Sequence, residues 1–63
     1  MEPDLALRLA LISAERLNHL ANSQANRESI IHEADLLSHR LSVFIKNAED
    51  TPYWIPGKDI LPE

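Results

Sequence analysis

The sequence predicts an all-α protein: an antiparallel two-helix hairpin with an extended C-terminal tail, dimerising into a four-helix bundle. Three observations lead there. Ten Leu, seven Ala and six Ile dominate the apolar residues, while Gly occurs once and Val, Thr and aromatics are scarce, a composition that suits helices and not sheets. Two long stretches without Gly or internal Pro carry apolar residues at alternating spacings of three and four. The first of them is apolar over more than half its circumference, which a single partner helix cannot cover.

Helix 1 is expected over about residues 3–22. Pro3 suits the first helical position, where its missing N–H costs nothing, and Asp4 complements the positive end of the helix dipole. Leu7, Ala10, Ala14, Leu17 and Ala21 form one heptad stripe, with alanines small enough for close approach. Leu5, Leu9, Ile12 and Leu20 form a second stripe about a third of a turn away. Arg16 falls inside the apolar arc, as an arginine that snorkels or pairs at an interface does.

Residues 23–26 form the loop. Asn22 is a candidate to end helix 1 in a left-handed turn, and Asn26 or Ser23 to cap helix 2. So short a connection between long helices makes them antiparallel neighbours.

Helix 2 is expected over about residues 27–48. Ile30, Ala34, Leu37, Leu41, Phe44 and Ala48 make a knobs-into-holes seam, flanked by Ile31 and Ile45. Leu36 and Val43, seven apart, point to the opposite side among His32, His39 and Lys46 and suggest a second contact. After residue 50 the prolines at 52, 56 and 62 and the glycine at 57 forbid a regular helix, so residues 51–63 are expected to be an extended, Pro-rich, acidic tail.

Charge narrows the function. Six Lys and Arg against ten Asp and Glu give a net charge of −4. Acids are interleaved with every cation, so no basic face is available for phosphate contacts and no direct nucleic-acid partner is expected. Glu2 and Asp4 stand where a signal or transit peptide carries Lys or Arg, and the apolar run Leu9–Ile12 is too short to span a bilayer. With no cysteine in the chain, thiolate sites and disulfides are excluded and a reducing compartment is permitted. A cytoplasmic protein with no membrane contact is expected.

The chemistry-bearing residues are few. Glu28, His32, Asp35 and His39, spaced four, three and four, share one strip of helix 2 and are the candidates for a divalent cation. Neither an HExxH motif nor the paired Glu-x-x-His motifs of di-iron bundles occurs, and a solvated face with weak Glu28–His32 and Asp35–His39 pairs accounts for the same spacing. Ser13, Ser29, Ser38 and Ser42 lack a base and an orienting acid, and no Gly-rich phosphate loop is present. No enzyme activity, cofactor or resident metal is expected.

What remains is binding. The expected function is that of a small regulatory or inhibitory protein, of the kind common among bacterial and phage accessory proteins. It would act on an unidentified protein partner through a hairpin homodimer. The expected interface residues are Leu7, Ala10, Ala14 and Leu17 of helix 1, Leu36 and Val43 of helix 2, and Tyr53 and Trp54 of the tail, since Tyr and Trp dominate binding hot spots. Tyr53 and Trp54 have a second reading, folding back over the open end of the bundle. A structural subunit or assembly adaptor is the alternative function, and a helical metal-binding bundle the third.

Overall fold

A computed structural model describes residues 2–57; the tail residues 58–63 lie outside the described residues. Helix α1 spans Pro3–Asn22 and helix α2 spans Arg27–Asp50. They pack side by side as an antiparallel hairpin.

Each helix end has a local cause. Pro3 opens α1 behind an extended Glu2, whose carbonyl accepts the first helical bond from the Ala6 N–H at 3.0 Å. At the other end the left-handed residue is Gln24 (φ 55°), not Asn22, which stays helical. The Ala25 N–H reaches back to the Leu20 carbonyl (3.1 Å) and the Gln24 N–H to the Ala21 carbonyl (3.4 Å). This is the Schellman pattern, which satisfies carbonyls the helix leaves open. Ser23 adds its hydroxyl to the His19 carbonyl at 2.8 Å. Asn26 caps α2, its side-chain oxygen accepting from the Ser29 N–H at 2.8 Å. Helix α2 continues through Asp50 and stops at Thr51, which leaves the helical region (φ −127°, ψ 72°) ahead of Pro52, as the residue before a proline tends to do.

The contact edge of α1 is built from small residues. Pro3, Ala6, Ala10 and Ser13 are buried, and Leu17 and Leu20 continue the line half-buried. The facing edge of α2 runs through Ile30, Glu33, Leu37, Arg40, Phe44 and Asn47. This corrects the expected α2 seam: Glu33 and Arg40 take places assigned to Ala34 and Leu41, and both of those are exposed. Polar partners on α1 account for the rotation. Arg40 donates from Nη1 to the Ser13 hydroxyl (2.8 Å) and to the Leu9 carbonyl (3.0 Å), and the buried Glu33 carboxylate meets Arg16 at 3.8 Å. A buried hydroxyl needs such a partner, and an arginine crossing a narrow alanine-serine groove supplies one.

The hairpin is one layer thick, its Cα trace 12 Å deep in the shortest dimension. Among the described residues the only buried apolar side chains are Pro3, Ala6 and Ala10. Most of the leucine and isoleucine surface is therefore half or fully open on the flanks of the seam.

Candidate functional site

Helical geometry sorts those flanks into two faces. At about 100° per residue, Leu7, Leu11 and Ala14 fall to one side of the α1 contact edge and Leu5, Leu9 and Ile12 to the other. On α2, Ile31, Ala34, Leu41 and Ile45 fall to one side and Leu36 and Val43 to the other. A groove of about 200 Å³ lined by Ala6, Leu9, His39, Arg40 and Val43 shows which sides match. One face of the hairpin thus carries Leu5, Leu9, Ile12, Leu36 and Val43 with Arg16, His32 and His39 at its margins. The opposite face carries Leu7, Leu11, Ala14, Ile31, Ala34, Leu41 and Ile45, with Ser38 at its centre, Arg27 and Glu49 at its two ends, and Arg8 and Glu15 beside Leu11 on the outer edge of α1. Leu11 and Ile45 on this second face are each 53% exposed.

The expected interface residues are divided between these surfaces. Ala10 is buried in the seam between α1 and α2. Leu7, Ala14 and Leu17 are half-buried beside it, as are Leu36 and Val43 on α2. Val43 borders the groove on the histidine-bearing face, where it meets Leu9 of the other helix.

Tyr53 and Trp54 part company. Tyr53 is 84% exposed, whereas Trp54 turns inward. The Trp54 N–H bonds the Thr51 carbonyl at 3.0 Å, forming the turn that brings the tail back. Its indole edge meets the Phe44 ring (centroids 5.6 Å apart, planes at 75°), and its Nε1 donates to Asp4 Oδ1 at 3.0 Å. The Gly57 N–H donates to the same oxygen at 2.9 Å, from a left-handed backbone (φ 80°) that glycine adopts without strain. Asp4 is 2% exposed as a result, sealed between the first turn of α1 and the tail. Sequence reasoning had given Asp4 a role toward the helix dipole alone. The tail's ring and amide, fifty or more residues away, escaped it, because no local pattern links them.

Glu28, His32, Asp35 and His39 all lie exposed along the outer strip of α2. Among the described residues no three His, Asp or Glu side chains come together to hold a metal ion. One buried polar atom stands out: Glu33 Oε2 has no hydrogen-bond partner among the described residues. No helix of the described residues is long and apolar enough to cross a membrane. Comparison with protein-family models, with curated proteins and with solved structures finds no match to this chain.

Proposed function

We propose that this chain is a non-enzymatic regulatory or inhibitory protein of the cytoplasm that acts by binding another protein, and that its binding-competent form is a hairpin dimer assembled as a four-helix bundle. One observation carries the reading: a single-layer hairpin with an apolar surface open on both sides, in which no apolar side chain larger than Pro3, Ala6 and Ala10 is buried among the described residues. Stable domains bury apolar surface between at least two layers. Two open faces leave room for one self-contact and one contact with a different protein. The histidine-bearing face suits the second role, since Arg16, His32 and His39 ring Leu5, Ile12 and Val43 with polar groups, as the rim of an interface does.

The same two-sided surface supports the runner-up, an assembly adaptor whose hairpins stack on both faces into a larger oligomer. Native mass spectrometry with affinity capture separates the two. A regulator gives a small closed oligomer that retains a different protein from its host, and Val43→Asp abolishes that retention while leaving the oligomer intact. Open-ended self-association without a captured protein sinks the regulator and favours the adaptor.

A further inference from the structure

The face that carries Ile31 and Ile45 has a symmetry that selects its occupant. Arg16 lies beside Glu33, and Arg40 reaches both Leu9 and Ser13, so residues of α1 and α2 whose numbers sum to about 49 to 53 are side by side. Leu11 and Ser38 are such a pair, and both sit at the middle of this face. A twofold axis crossing the two helices over Leu11 and Ser38 would bring α1 onto α1 and α2 onto α2 of a second copy, each pair antiparallel. Positions equally far from Ser38 then meet. Ile31 and Ile45, each seven residues away, face one another twice. Arg27 and Glu49, each eleven residues away, form two ion pairs of opposite charge. On α1, Arg8 and Glu15 stand three and four residues to either side of Leu11 and become neighbours across the axis. No like charges are opposed.

We infer that the face bearing Leu11, Ser38, Ile31 and Ile45 is occupied by a second copy of this chain, related by a twofold axis over Leu11 and Ser38. This rests on the dimer of the proposed function and specifies the surface and arrangement it uses. Self-complementarity is what a twofold interface demands of one patch, and the Arg27–Glu49 and Arg8–Glu15 relations supply it in charge as the isoleucines do in apolar contact. Size agrees. From Arg27 to Glu49 the face runs about 33 Å at 1.5 Å per residue, and two helices are about 20 Å wide. That footprint is on the order of 650 Å² before side-chain relief is counted, close to the ~800 Å² each partner contributes to a standard interface. Small Ala34 and Ser38 at its centre let the two α2 helices approach closely.

The test uses the full chain, which has no cysteine of its own. Ser38→Cys places two thiols beside the axis, within the Cα separation of about 4.4–6.8 Å that a disulfide spans. Mild oxidation should convert it to a covalent dimer under conditions where Ile12→Cys, on the other face, stays unlinked. Sedimentation equilibrium should give a dimer for the wild type. Arg27→Glu should raise the dimer dissociation constant roughly tenfold, since it replaces two opposite-charge pairs by two like-charge ones, and adding Glu49→Arg should restore it. A wild-type dimer in which Ile12→Cys links and Ser38→Cys does not overturns the assigned face while leaving the dimer of the proposed function standing. A wild-type monomer, including one whose isoleucine-bearing face binds a different protein, overturns both.

Discussion

Gln24 holds a left-handed backbone at φ 55° for the sake of the Schellman turn that closes α1. A residue with a Cβ pays roughly 1–2 kcal/mol for that conformation, and glycine adopts it freely. Gln24→Gly should therefore stabilise the protein by about 0.5–1 kcal/mol, read as a raised Tm; an unchanged or lowered Tm would mean the turn is not formed. Glu33 is the other residue under tension. One of its oxygens makes a 3.8 Å contact to an arginine whose side chain is 63% exposed, and the other is buried without a partner among the described residues. Replacing a poorly paired buried charge by an apolar residue of similar volume is often neutral or stabilising by about 1–4 kcal/mol. Glu33→Met should raise stability in chemical denaturation without loss of helicity, and a destabilised variant would show that Glu33 is better paired than this geometry implies.

At the scale of the helices, the α1–α2 contact depends on an arginine that reaches across small residues. Arg40→Ala leaves the fully buried Ser13 hydroxyl without its partner and should cost about 1–3 kcal/mol. Ser13→Ala removes donor and acceptor need together and should cost less, because Arg40 retains the Leu9 carbonyl. A double-mutant cycle reads the coupling directly; additive effects would mean the bond contributes nothing in solution. The Asn26 cap offers a simpler check on α2. Asn26→Ala should cost about 1 kcal/mol by removing the acceptor for the Ser29 N–H.

For the whole molecule, the tail clasp and the proposed contact with a second copy involve different surfaces. The tail pins the start of α1 to the end of α2 through Asp4, Trp54, Gly57 and Phe44. Asp4→Ala should weaken that clasp by about 1.5–3 kcal/mol, since the lost bonds go to a carboxylate, and shift Trp54 emission to the red. An emission identical to wild type would show that the indole is not held there. Association makes stability depend on concentration, so the Tm of the wild type should climb as the protein concentration rises. A concentration-independent Tm contradicts the dimer.

How much of this was legible in the sequence follows from the range of each interaction. Pro3, Asn26, Pro52 and the leucine and alanine spacing determine two helices and a hairpin, because helix bonds and caps join residues three or four apart. The same spacing leaves rotation undecided. An apolar arc wider than one contact can face its neighbour in several ways, and the α2 edge that does so, through Glu33, Arg40 and Asn47, is less apolar than the arc through Ala34 and Leu41. Only the tertiary structure chose, through Arg40 with Ser13 and Glu33 with Arg16, pairs separated by 27 and 17 residues. It likewise decided that Trp54 seats against Asp4 and Phe44 while Tyr53 stays in water, since one side of a turn can reach the hairpin and the other cannot. The sequence by itself determined the elements; the rotation that leaves Leu11, Ile31, Leu41 and Ile45 exposed was settled by long-range polar partners that no local period encodes.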